Sequence, residues 1–181
     1  YQFIAPPEIH PQPHSTMAFV MTILVCFAIG LLLRKIGKTG SGSKVYRKEG
    51  LAVVGLIWFL TALIGGLPFI FSGTFNNFED AYFEAMSGLT TTGASVMHPK
   101  QYNQQTGAEE AIKTTVISGN RKVEYSFYGS IKPVKDPKTG KVLYFGIEAV
   151  SKAVLFWRSF MQWLGGMGIV VLLVAILPAL G

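Results

Sequence analysis

The polar and apolar positions of this chain fall into three long charge-free runs and one short apolar one. Residues 15–33 and 51–75 contain no Asp, Glu, Lys or Arg, and a third charge-free run follows Arg158. At about 1.5 Å of rise per residue, each run reaches the roughly 30 Å of a hydrocarbon core. The pattern therefore predicts transmembrane helices over 15–33, 51–75 and 151–181. The short run, 76–89, places Tyr82, Ala85, Met86 and Leu89 at helical spacing, with Asn76 positioned to cap a helix whose third residue is Glu79. Such a helix is only about 20 Å long, so it enters a membrane without crossing it.

That half-length helix breaks into Thr90, Thr91, Thr92, Gly93, Ala94 and Ser95. A helix end carries partial negative charge and unpaired carbonyls, which favours a cation just beyond Leu89. Irregular backbone at membrane depth is tolerated where protein or water surrounds it, and its carbonyls can replace an ion's hydration shell. Gly93 lets the backbone turn without a side chain in the way. Alone, Thr-Thr-Thr-Gly reads as a turn after a surface helix. Flanked by the spans, 76–89 reads as a re-entrant pore helix and 90–95 as a filter loop. Glu84 lies inside the pore helix, where a carboxylate is costly unless it faces water, a partner or the ion path. It either raises cation occupancy, props the filter backbone, or is simply a solvated residue on the outer turn.

Charge sets the topology. The segment 34–50 holds Arg34, Lys35, Lys38, Lys44, Arg47 and Lys48 against the single acid Glu49, the signature of a short cytoplasmic loop. The lead-in 1–14, interrupted by Pro6, Pro7, Pro11 and Pro13, and the long polar segment 96–150 then lie outside. The latter is also basic, but long loops translocate largely regardless of charge. Within it 113–117, 122–128 and 141–147 are β-prone, separated by turn-forming residues, and predict a small β-rich insertion. The fold class is thus an all-α membrane protein with a re-entrant pore helix and filter loop, plus a small extracytoplasmic β-rich insertion.

Half of the residues are hydrophobic and only 14% are charged, too apolar a balance for an ordinary soluble domain. The net charge of +6 sits in loops and does not alternate with aromatics along a helix, so no nucleic-acid partner is expected. Cys26 is the sole cysteine and lies in the first span, which excludes an intrachain disulfide and a cysteine metal site. His10 and His14 are four apart, but the prolines deny them a common helical face. Trp157, Arg158 and Trp163 suit the outer interface. Gly165, Gly166 and Gly168 suggest a bend or a close backbone contact beside the filter.

Several stretches carry a family resemblance: Arg47-Lys48-Glu49-Gly50, Gly66-Leu67-Pro68-Phe69-Ile70-Phe71, Phe83-Glu84-Ala85-Met86-Ser87-Gly88-Leu89-Thr90-Thr91-Thr92-Gly93-Ala94, and Phe156-Trp157-Arg158 continuing through Gln162-Trp163-Leu164-Gly165-Gly166-Met167-Gly168-Ile169 to Leu177-Pro178. In these the chain resembles the membrane subunits of the Trk/Ktr/HKT potassium transporter superfamily. The resemblance implies one accessory helix followed by the first of four span-pore-span units around a single pore. It puts the selectivity filter on Thr91, Thr92, Gly93 and Ala94, next to Thr90, with potassium held by the backbone of Thr91, Thr92 and Gly93. It implies a multi-pass protein of the bacterial inner membrane that takes up potassium as substrate, with no covalently bound cofactor. Its implied partners are membrane lipid, the three further units or self-association into a ring, and a cytosolic nucleotide-binding regulatory subunit. The insertion 96–150 is longer than the connection usual in that family, and its role is open.

Two other functions compete. One is a sodium-permeable cation transporter of the same superfamily. The other is a membrane-anchored envelope module whose working part is the insertion 96–150. That segment has no cysteine, a single histidine (His98) and no nucleophile-base spacing, which argues against an enzyme.

Overall fold

A computed structural model describes residues 12, 14–37, 47–103, 106–118, 121–136 and 138–180. Most of the lead-in, including His10, and residues 38–46 of the basic loop lie outside the described residues. Five helices form one part of the protein: α1 (Ser15–Gly37), α2 (Arg47–Gly65), α3 (Leu67–Phe71), α4 (Phe78–Leu89) and α5 (Lys152–Leu180). Ser15–Gly37 and Ala52–Phe71 are each long and apolar enough to cross a membrane. The 29 residues of α5 reach about 43 Å, whereas the 12 of α4 reach only about 18 Å.

Both flanks of the basic segment join helices. Arg34 and Lys35 form the last turn of α1, opposite the partial negative charge of that helix end, and α2 starts at Arg47. The run 51–75 is not one helix. It breaks at Gly66 because Pro68, in the first turn of α3, has no N–H to offer the Ile64 carbonyl. The break is also a packing site. A Cβ at Gly66 would lie 3.2 Å from the Ala81 carbonyl oxygen, and one at Gly65 would press into the Met161 side chain. Trp157 of α5 donates its indole N–H to the Gly65 carbonyl at 2.9 Å. That bond ties Trp157 to the helix break, an inward role beyond the interfacial anchor expected.

The half-length helix begins one residue later than its sequence suggests. Its N-cap is Asn77, in extended conformation and without a side-chain cap bond, and Glu79 and Asp80 occupy the first turn. Their charge on the helix dipole takes the place of the expected Asn76 cap. The core gathers where α2, α3, α4 and α5 meet, around Ala62, Phe69, Phe75, Ala81, Ala85 and Met161. Alanines at three of these positions let the helices approach closely. By contrast α1 buries only Ser15, Ala18 and Thr22 and leaves residues such as Ile23, Phe27 and Leu32 exposed. Apolar exposure on this scale marks a surface meant for lipid or for further protein.

Residues 101–149 form three antiparallel pairs rather than one sheet: β1 (Gln101–Tyr102) with β2 (Glu109–Glu110), β3 (Ile112–Ser118) with β4 (Arg121–Phe127), and β5 (Val134–Lys135) with β6 (Val142–Tyr144). The β3–β4 register pairs Thr114 with Tyr125 and Val116 with Val123. The expected β runs at 113–117 and 122–128 fall on this hairpin. Only part of 141–147 is strand, since Gly146 and Ile147 enter a 3-10 turn, Gly146–Ala149. The two-residue strands β1, β2 and β5 are too short to leave an alternating pattern in the sequence.

A candidate ion site at the end of the short helix

The position of α4 is fixed by small residues. A Cβ at Gly165 of α5 would overlap the Leu89 carbonyl oxygen, and one at Gly88 would lie 3.2 Å from the Met161 Cβ. Helix α5 is continuous here, so of the two roles open to its glycines Gly165 takes the close contact, not the bend.

Helix α4 ends in a Schellman arrangement. Thr91 is left-handed at φ 57°; its amide donates to Gly88 O at 2.9 Å, and the Thr92 amide donates to Ser87 O at 3.1 Å. The Thr90 amide donates to Met86 O at 2.8 Å, and that of Gly93, itself at φ 79°, to Ser87 O at 3.4 Å. The carbonyls of Met86, Ser87 and Gly88, expected to be unpaired, are therefore capped. Two positive-φ residues turn the chain, where the sequence pointed to Gly93 alone. The Thr90 and Thr92 hydroxyls bond each other at 2.9 Å, and Thr90 also donates to Met86 O at 2.8 Å. With the amides of residues 90–93 turned back onto the helix, the carbonyls of Thr90, Thr91, Thr92 and Gly93 accept no hydrogen bond among the described residues. Residues 90–95 are exposed.

Ala94 differs from its neighbours. Its carbonyl accepts from the Ser87 hydroxyl and from Arg158 Nη2 at 3.3 Å. Glu84, one helical turn before Ser87, is fully buried. Its Oε2 accepts from Ser95 Oγ and from the Val96 amide, both at 3.0 Å, and its Oε1 pairs with Arg158 Nε at 2.9 Å. Arg158 Nη1 donates to Gln162 Oε1 at 2.7 Å. One carboxylate and one guanidinium thus grip both sides of the strand leaving the threonines. Three donors on a buried carboxylate match the rule that interior charge must be paired and hydrogen-bonded.

Arg158, Gln162 and Ser87 were not foreseen at this site. Arg158 is largely buried and ion-paired instead of snorkelling at an interface. A signal existed: Glu84 and Arg158 are opposite charges, each embedded among apolar residues, and such residues seek one another. Among the described residues no group of His, Cys, Asp and Glu could hold a metal ion.

No family model matches the chain, and no solved structure matches it. Among curated proteins it is 34% identical over 165 residues to the Trk system potassium uptake protein TrkH of Escherichia coli, an alignment covering 91% of this chain and 24% of that protein. It is 31% identical over 165 residues to the TrkH protein of Halomonas elongata, with the same coverage. An uncharacterized cation transporter of Methanocaldococcus jannaschii matches at 26% over 126 residues, 70% of this chain and 17% of that protein. Membrane-length helices packed with a half-length one, and relatives named as potassium uptake proteins and a cation transporter, define the class as a segment of a membrane protein. More narrowly, the chain belongs to the Trk family as a TrkH-type segment. It spans about a quarter of the length of the curated relatives it matches.

Proposed function

We propose that this segment contributes one strand of the selectivity filter of a potassium-uptake protein in the bacterial inner membrane. Residues 90–94 form the filter strand, α4 the re-entrant pore helix, and the carbonyls of Thr91, Thr92 and Gly93 the potassium ligands. The observation that carries this reading is the division of backbone groups between the two flanks of the strand. The amides of residues 90–93 are spent on the end of α4, and the carbonyls of Thr90, Thr91, Thr92 and Gly93 are exposed and accept no hydrogen bond among the described residues. A row of unpaired carbonyl oxygens recruits a cation in place of its hydration water. The exposed flank has room for the three further units, or for copies of this chain in a ring. Glu84 acts as a prop for the filter: its burial and three hydrogen bonds favour that role over a place in the ion path.

In this reading α1, α2 with α3, and α5 all cross the membrane. The basic segment 34–50 faces the cytoplasm, where a nucleotide-binding regulatory subunit would dock, and the insertion 96–150 faces outside. Labelling by an impermeant thiol reagent in intact cells tests the orientation, with a cysteine placed at Lys138 expected to react and one at Lys35 expected not to. The filter is tested in a full-length protein carrying this segment. Gly93 has φ 79°, and no atom lies within 4 Å of the point a Cβ would occupy, so Gly93→Ser strains the backbone without a clash. The expected result is lost potassium-over-sodium discrimination at a normal membrane level. Wild-type discrimination in that variant places the filter elsewhere, and sodium preference in the parent itself makes the protein a sodium-permeable relative.

A further inference from the structure

The insertion does not simply hang from the helical part. Between its two excursions, 101–128 and 132–148, the chain returns to the strand that leaves the candidate filter. The Ser130 hydroxyl donates to the Val96 carbonyl. The amides of Ser130 and Ile131 both donate to His98 O at 2.9 Å, and the Lys100 amide donates to Ile131 O at 2.8 Å. Pro99 and Ile131 form a parallel bridge. Gly129 is buried so tightly against Pro99 that a Cβ would overlap the Pro99 carbonyl. Ile131 is 3% exposed and belongs to the same apolar cluster as Phe69, Ala85 and Val154 of the helices.

From this geometry we infer that residues 129–131 are a clasp that positions the filter strand, and that bracing the filter is the work of the insertion. The inference rests on the filter reading above. A continuous line of bonds supports it: Arg158 pairs with Glu84, Glu84 accepts from the Val96 amide, and the Val96 carbonyl accepts from Ser130. Val96 is two residues past Ala94, and both of its backbone polar groups are spoken for, one by the helices and one by the insertion. Without the clasp the strand is tied only to the helices, through Ser87, Arg158 and Glu84, and the chain past Val96 is free to pivot about those ties. Held from both sides, its carbonyls keep a fixed spacing, which is what discrimination between cations of different radius requires. Phe127, at the base of the β3–β4 hairpin, sets its ring edge-on to His98 at 5.1 Å, but the outer part of the hairpin takes no part, since Val116, Val123 and Tyr125 are all exposed.

Four variants of a full-length protein carrying this segment decide the matter, with potassium and sodium uptake and membrane level measured for each. Loss of one hydrogen bond at the clasp predicts about a fivefold fall in potassium-over-sodium discrimination, or an equal rise in potassium KM, for Ser130→Ala. Ser130→Thr keeps the hydroxyl and is expected to retain wild-type behaviour. Shortening the hairpin by replacing residues 114–125 with an Asn-Gly turn leaves the clasp in place and is expected to change neither value. Gly93→Ser reports on the filter itself. If Gly93→Ser loses discrimination while Ser130→Ala keeps both discrimination and KM, the clasp is overturned and the filter stands. If Ser130→Ala lowers only the amount of protein in the membrane, the tie serves folding alone and the inference is again overturned. If Gly93→Ser is silent, the filter reading fails and the clasp fails with it.

Discussion

Replacing Glu84 by glutamine separates a propping role from a role in the ion path. The carboxylate serves three donors, Arg158 Nε at 2.9 Å and Ser95 Oγ and the Val96 amide at 3.0 Å, and none of it is exposed. Glutamine keeps one acceptor oxygen and turns the other into a donor. If its oxygen faces Ser95 and Val96, its NH2 confronts Arg158 and leaves a guanidinium only 16% exposed without its counter-charge. If it faces Arg158, the strand after the proposed filter loses its anchor. Breaking a buried pair from one side costs about 3 kcal/mol, roughly a hundredfold in the equilibrium between the held and the released strand. Uptake kinetics in cells lacking other potassium systems should show a raised KM and reduced discrimination in Glu84→Gln. The double variant Glu84→Gln with Arg158→Gln removes the stranded charge and should recover part of the loss, because the two sites are coupled. Unchanged KM and maximal rate in the single variant, or losses that simply add in the double, would refute the prop.

Two further outcomes follow from packing and from the proposed filter strand. Gly165→Ala drives a methyl into the Leu89 carbonyl, where backbone cannot yield as a flexible side chain does, so a loss of about 1–3 kcal/mol is expected, read as a lower melting temperature of the detergent-solubilised protein. The same change at Gly30, which has open space around it, is the control and should be neutral or slightly stabilising. The segment expressed alone and kept monomeric should not conduct, since one strand offers oxygens from one side only, and each unpaired backbone group facing lipid costs several kcal/mol. Selective potassium flux into liposomes from verified monomers would contradict this.

Hydrophobicity and length govern the features that were legible along the chain. Charge-free runs of bilayer length marked α1 and the apolar stretch of α2 and α3, and a run too short to cross marked α4. The β hairpin was legible because seven-residue strands leave a readable signature, while the two-residue strands leave none. The family was legible as well, since its motifs lie in local stretches around the helix ends. Tertiary structure decided what depends on distant partners. That Pro68 breaks the second run could be suspected; that Trp157, far along the chain, would satisfy the Gly65 carbonyl there could not. Thr91 takes the left-handed cap, a cost for a β-branched residue, two residues past the Leu89 carbonyl that Gly165 admits against α5. Glu84 was marked by its cost in an apolar setting, but its partner Arg158 lies 74 residues away, and no local rule reaches that far. The tie from Ser130 to Val96 is of the same kind: hydrogen bonds between remote segments are chosen by the packed geometry, after the pattern of apolar residues has brought the segments together.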